Sequence, residues 1–267
     1  MLQQTQAARV AEKWKDFLKR FPTLGSLASA PFNEVITQWE GLGYNTRALR
    51  LHQCVQSVVL HNAGYFPDSL GRLTELPGVG RYTAHALLCF AFKKRVPVVD
   101  INVRRILTRV FGNRTDARAL IPENRAWTIA EEILPLKKYY EWNQALMDLG
   151  AMICRARAPR CGACPLEHEC RSAHAIRIRS KRPIPKKPEP MVGNVPRRLI
   201  RGKIIQHLRI SGSSAGVSLE RIVAHLRTIY PRTDRGSVRR IIEGLAGEGL
   251  IVLRRGKRLS IHVSFPP

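Results

Sequence analysis

Apolar positions recur along this chain mostly every three or four residues, the period of a helix with one buried face, and rarely every second residue. Residues 1 to 21 read as one amphipathic helix with Val10, Trp14, Phe17, Leu18 and Phe21 on its apolar stripe. The same period predicts helices over Phe32–Glu40, Arg47–His61, Tyr82–Phe92, Val103–Phe111, Glu123–Leu134 and Tyr140–Ile153. Short breaks separate them at Pro22, Gly41 to Gly43, Gly64, Pro67, Gly78 to Gly80, Gly112 and Pro122. No alternating strand of any length interrupts residues 21 to 150, so the expected core is all-α.

A Cys-rich loop follows, then RIRSKRPIPKKPEP at residues 177–190, whose prolines and charges cannot pack a core and so predict an extended linker. Further on, helical stretches at Leu199–Leu208, Leu219–Leu226 and Ser237–Leu245 precede LIVLRRGKRLSIHV, a hairpin turning at Arg255-Gly256-Lys257. Three helices and a basic hairpin suggest a C-terminal winged helix-turn-helix (α+β) domain; a basic protein–protein module has the same pattern. The expected division is residues 1–170 with a cysteine loop at 154–170, a basic linker at 171–194, and a winged-helix domain at 195–267.

With 267 residues, 44% of them hydrophobic, the chain is long enough for two modest cores and too apolar for disorder. Its 45 Lys and Arg against 20 Asp and Glu give a net charge of +25, which favours a polyanionic partner because each neutralised phosphate releases a counterion. Residues 195–267 are densest, with 15 basic and 4 acidic side chains. No apolar run approaches the roughly 20 residues of a membrane-spanning helix, and no signal peptide is visible, so a cytoplasmic protein without a membrane partner is expected.

Four cysteines, Cys154, Cys161, Cys164 and Cys170, stand in a C-x6-C-x2-C-x5-C array, four soft ligands near enough to meet one metal centre. Their spacing fits zinc and an iron-sulfur cubane equally. Cys54 and Cys89 sit in apolar helical patterns and read as core residues. In LPGVGRYTA, Leu76 to Ala84, two glycines flank Val79 ahead of a helix entered at Arg81. The amides of Gly78, Val79 and Gly80 can point at a phosphate, or the glycines can simply cap an interhelical turn. In VPVVDINVRR, Asp100 precedes a helix starting near Asn102: it can serve as the N-cap, as a carboxylate stabilising an oxocarbenium-like sugar, or as both.

LPGVGRYTA, then VVDINV, then WNQALMDLGAMIC running into the cysteine array together resemble the helix-hairpin-helix DNA glycosylases that carry a four-iron four-sulfur cluster. The resemblance spans Met1 to about Cys170. MLQQTQ and WEGLGYNTRA are similar to the adenine glycosylases of the MutY type, which remove adenine mispaired with guanine or 8-oxoguanine. The resemblance implies that Asp100 is the catalytic aspartate, that Gly78, Val79, Gly80 and Arg81 grip a DNA phosphate, and that the four cysteines hold the four-iron four-sulfur cluster. Tyr82 falls where the endonuclease III relatives have a nucleophilic lysine, which implies a monofunctional enzyme. Gln4, Thr5, Leu42 and Tyr44 match residues around the base opposite the target, Tyr44 as a wedge in the base stack, while Gln144 and Asn102 belong to the pocket of the extruded base. The implied partner is mismatched double-stranded DNA, bound by a nucleoid-associated monomer.

Three departures qualify the resemblance. The family's general acid is a glutamate two residues ahead of the methionine matched by Met1, so the native protein is expected to continue upstream. The family's usual pyrophosphatase-like domain is replaced by the linker and winged helix, and Asn45 stands where a second tyrosine is common. The alternatives are a mismatch thymine or uracil glycosylase and a non-catalytic iron-sulfur DNA-binding protein.

Overall fold

A computed structural model of the chain describes residues 1–112, 119–175, 188–212, 216–255 and 260–266. The first helices are α1 (Ala7–Arg20), α2 (Leu24–Ala28), α3 (Phe32–Gln38) and α4 (Thr46–His61). Next come α5 (Leu70–Thr74), α6 (Arg81–Ala86), α7 (Ile101–Phe111), α8 (Glu123–Glu132) and α9 (Tyr139–Asp148). The C-terminal part contains β1 (Met191–Val192), β2 (Val195–Pro196), α10 (Arg197–Ser211), β3 (Val217–Ser218), α11 (Leu219–Ile229), α12 (Arg235–Gly247), β4 (Val252–Arg255) and β5 (Ile261–Ser264). The chain divides into two compact units, one of Met1–Phe66 with Pro185–Pro267 and one of Pro67–Ile184. Among the described residues no helix is long and apolar enough to cross a membrane.

In the first unit α1 begins at Ala7, which shortens the helix expected over residues 1 to 21. Hydrogen bonds explain the difference. Arg47 donates to the carbonyls of Met1 (2.8 Å) and Gln3, and the Thr5 hydroxyl donates to the Leu42 carbonyl (3.2 Å), so the first residues are drawn onto the loop after α3. Val10, Phe17 and Phe21 are buried, whereas Trp14 and Leu18 remain 52% and 43% exposed at the edge of the stripe.

The C-terminal helices share a core with these N-terminal ones. Phe32, Ile36 and Trp39 belong to the same hydrophobic cluster as Ile200, Ile204, Ile222 and Ile241, and Phe32 meets Phe265 edge to face at 6.1 Å. Helices α10, α11 and α12 are followed by an antiparallel sheet of order β3-β5-β4, with Val263 opposite both Val217 and Leu253. Of the expected linker, residues 176–187 lie outside the described residues. After them, Met191–Val192 pairs with Val195–Pro196 in a short antiparallel hairpin. Of the expected turn, Gly256 and Lys257 also lie outside the described residues.

The second unit packs α7, α8 and α9 around Val103, Ile106, Leu107, Trp127, Leu146 and Leu149. The helices expected at Tyr82–Phe92 and Tyr140–Ile153 are both found, and both finish in a π-helical turn, Leu87–Ala91 and Leu149–Ile153. The second of these brings Gly150 against the start of α7: a Cβ there would lie 2.8 Å from the Asn102 Cβ. Only glycine allows the two backbones to approach so closely.

Candidate active site

Asp100 is the N-cap of α7, the position its sequence context favours. Its Oδ1 accepts a hydrogen bond from the Val103 amide at 2.7 Å, and its Oδ2 accepts one from Asn102 Nδ2 at 2.9 Å. The carboxylate is therefore fixed at both oxygens by the first turn of the helix it begins. Asn102 is held in turn, because its Oδ1 accepts from Arg105 Nη1 at 2.9 Å. Arg105, 8% exposed, spends its other donors on the carbonyls of Gly150 (2.8 Å) and Cys154 (2.9 Å). Tyr82 is close enough to Asp100 to feel its charge: burial first, and then that carboxylate, push its phenol above the ordinary range. Gln144 is exposed on α9, while its neighbour Asn143 is buried and bonds the Val98 amide at 2.8 Å and the Val96 carbonyl at 3.0 Å.

In the Leu76–Arg81 turn the Val79 amide donates to the Leu76 carbonyl at 3.1 Å, with Gly78 at φ 78°. Gly80 caps α6 without a side-chain hydrogen bond, and a Cβ there would meet nothing within 4 Å. The turn thus has an open face next to a helix start. The Arg81 guanidinium lies 4.2 Å from the centroid of the Trp127 ring, which fixes a cation beside that face.

Gln4, Thr5, Leu42 and Tyr44 lie in the first unit. Arg47 links Thr5 to the loop: its Nη2 donates to Thr5 Oγ1 and to the Leu42 carbonyl, both at 2.8 Å, and to the Gly43 carbonyl at 3.2 Å, and its guanidinium lies 5.7 Å from the Tyr44 ring centroid. Leu42 is only 3% exposed, so it contributes its carbonyl to the loop while its side chain sits in the core. Tyr44 is 64% exposed and holds a left-handed backbone at φ 45°, and Gln4 does likewise at φ 59°. Left-handed geometry at a non-glycine residue persists only where surrounding bonds impose it.

The four cysteines line one cavity together with Arg109 and Ser172. Arg109 Nη1 donates to Cys154 Sγ at 3.2 Å and to the Arg155 carbonyl at 2.9 Å, and Nη2 donates to the Ala156 carbonyl at 2.9 Å. Burial chiefly, with Cys154, Cys164 and Cys161 adding, pushes the Cys170 thiol up. The buried Ser172 hydroxyl lines the same cavity without a partner. Among the described residues no three His, Cys, Asp or Glu side chains are gathered into a ready metal site. The donor set nonetheless suits a soft metal centre: four thiols line one space together with an orphan hydroxyl. Cys54 and Cys89 are buried in the helical core, as their pattern indicates.

Sequence reasoning missed Arg47, Arg105 and Arg109, because an arginine in a cationic chain reads as surface charge. The signal was Arg105 and Arg109 spaced one helical turn apart beside Ile106 and Leu107 in an otherwise apolar stretch.

The model of the HhH-GPD superfamily base excision DNA repair proteins matches residues 1–132. The adenine DNA glycosylase of Mycobacterium tuberculosis is 43% identical over 211 residues, 78% of this chain and 67% of that protein. The Homo sapiens adenine DNA glycosylase is 39% identical over 177 residues, 66% of this chain and 32% of that protein. For the Mycolicibacterium smegmatis adenine DNA glycosylase the match is 43% over 172 residues, and the chain spans 57% of that relative's length. Among solved structures, a thermostable thymine-DNA glycosylase superposes with a TM-score of 0.60 at 29% identity, covering 65% of this chain and 80% of the other. A trapped endonuclease III-DNA covalent intermediate gives 0.58 at 25% identity with the same coverage. The chain belongs to the HhH-GPD superfamily of base excision DNA repair proteins, as a helix-hairpin-helix glycosylase of the adenine DNA glycosylase (MutY) type.

Proposed function

We propose that this chain removes adenine mispaired with guanine or 8-oxoguanine from double-stranded DNA, by base flipping and cleavage of the N-glycosidic bond. The observation that carries the reading is Asp100: a carboxylate fixed at both oxygens, beside Tyr82, at the start of α7. A positioned anion lowers the barrier to losing the base by stabilising the oxocarbenium-like sugar. Tyr82 keeps its proton and offers no amine, so it orients the site and forms no Schiff base, which makes the enzyme monofunctional. The turn from Gly78 to Arg81 holds the DNA backbone by its glycine amides and the Arg81 charge, while the Val79 amide closes the turn onto Leu76. Gln4, Thr5 and Tyr44 surround the opposite base, with Tyr44 as the wedge, and Leu42 supports their loop. Gln144 and Asn102 border the pocket of the extruded adenine.

In the same reading Cys154, Cys161, Cys164 and Cys170 hold a four-iron four-sulfur cluster, with Arg109 donating to the first thiolate. When bound, such a cluster ties the four thiolates of the loop into a single crosslink. Helices α10 to α12 with strands β3 to β5 act as a winged helix that adds duplex affinity, and the enzyme works as a monomer in the nucleoid. The test is to identify the base set free when the protein isolated from its native cells meets duplexes carrying A·G, A·8-oxoguanine, T·G and U·G pairs. Free adenine from the first two is expected. Free thymine or uracil, or tight binding without release of any base, would overturn the proposal.

A further inference from the structure

Resting on the reading of Tyr44 as the wedge, we propose that Arg209 of α10 is the positioning residue that lets the C-terminal helices set the wedge loop. Arg209 lies at the end of α10 and reaches the loop between α3 and α4. Its Nη1 stands 3.6 Å from Glu40 Oε1 and its Nη2 donates to Asn45 Oδ1 at 3.5 Å. Those two residues are the two ends of the turn that carries Leu42 and Tyr44. One guanidinium therefore spans the base of the loop, while Arg47 and Trp39 hold its interior carbonyls, the latter through Nε1 to Gly43 at 3.1 Å.

Three features separate this contact from an ordinary surface pair. The Arg209 side chain is only 11% exposed, and its Nε is buried without a partner, so the contact carries a desolvation cost. In the loop it spans Gly41 and Gly43 take positive φ at no cost, whereas Tyr44 at φ 45° holds a strained backbone. That tyrosine is 64% exposed, placed to enter a base stack. Arg209 also borders a cleft lined by Asn33 and Thr37 of α3 and by Arg254 and Phe265 of the C-terminal part, so the side chain that spans the loop also contacts the space beside those residues.

The experiment reads wedge insertion directly and does not need base release. 2-Aminopurine is placed next to the mispaired adenine, its fluorescence gain on protein binding is recorded, and duplex affinity is measured in parallel by anisotropy. Tyr44→Ala is expected to lose most of the gain. Arg209→Ala and the milder Asn45→Ala are expected to lose most of it too while duplex affinity stays within about threefold, a change under 1 kcal/mol. Arg201→Ala, which removes the bidentate Arg201–Glu248 pair from the same helix, is expected to keep the full gain. A full gain in Arg209→Ala together with a lost gain in Tyr44→Ala would overturn the role of Arg209. A full gain in Tyr44→Ala would overturn the wedge reading itself, and the role of Arg209 with it.

Discussion

Arg105 donates through Nη1 to the side-chain oxygen of Asn102 at 2.9 Å, and Asn102 donates through its amide to Asp100. The carboxylate at the centre of the site is thus held by a residue that does not touch it, and that residue is anchored on the carbonyls of Gly150 and Cys154. The orientation of Asp100 depends on the backbone leading into the cysteine loop.

Replacing Arg105 by alanine removes the partner of Asn102 and the side-chain donor to the Gly150 carbonyl, and leaves the Cys154 carbonyl only its weaker bond from Arg109 Nη1 at 3.4 Å. Losses from supporting groups of this kind run at about 10–100-fold in activity. The expected result is a fall of that size in the single-turnover rate of adenine release with duplex affinity unchanged, and partial recovery in Arg105→Lys, which can still reach one carbonyl. Rate constants and Kd from the same preparations check it.

Gly150→Ala places a Cβ 2.8 Å from the Asn102 Cβ, an atom that cannot swing away. Overpacking of this kind costs about 1–3 kcal/mol, more than the up to ~1 kcal/mol that alanine gains over glycine in a helix. A lower Tm and a slower release rate are expected together, because the clash displaces both the helix and the ligand of Asp100. Thermal melts alongside the rate measurement decide it.

The cysteine loop is tested by its metal. Protein purified without oxygen is expected to be brown and to contain iron and acid-labile sulfide in equal amount. Cys164→Ser is expected to lose both and to loosen residues 154–170, seen as faster amide exchange. A colourless protein holding one zinc would replace the cluster with a zinc site.

His207 and His225 stack with ring centroids 4.2 Å apart, and His207 Nε2 is buried without a partner. Burial first, then His225 and Arg221, push the His207 imidazole below its ordinary value of about 6.5. The unfolded chain takes up this proton more readily than the folded one, so the stability held above about pH 6.5 declines as the pH falls through it. The urea midpoint is expected to drop between about pH 7 and pH 5.5, and to drop less in His207→Phe, where the stacked ring no longer titrates. Equal drops in both proteins would place the effect elsewhere.

Much of this site is legible in the sequence, for reasons that are local. Asp100 announces itself as a cap because aspartate is a favoured residue ahead of a helix, and Gly78 announces a turn because glycine is needed where φ is positive. Helix α4 begins within one residue of its expected start. What the sequence hides is long-range. Periodicity shows that α10, α11 and α12 each have an apolar face, and it is silent on the fact that Phe32 and Phe265 close one core between them. The first six residues leave the expected helix because Arg47, more than 40 positions away, binds their carbonyls. Arginine is the recurring blind spot: Arg47, Arg105, Arg109 and Arg209 each organise backbone or a loop, and each looks like one more unit of charge.

The most direct test of the account compares the protein with its Asp100→Asn variant on one duplex bearing adenine opposite 8-oxoguanine. Asparagine caps helices as well as aspartate does, so fold and binding are retained while the negative charge is lost. The expected result is free adenine from the wild-type protein, and duplex binding of similar strength with release slowed by at least about a hundredfold in the variant. Adenine release at an undiminished rate from Asp100→Asn would contradict the role assigned to that carboxylate.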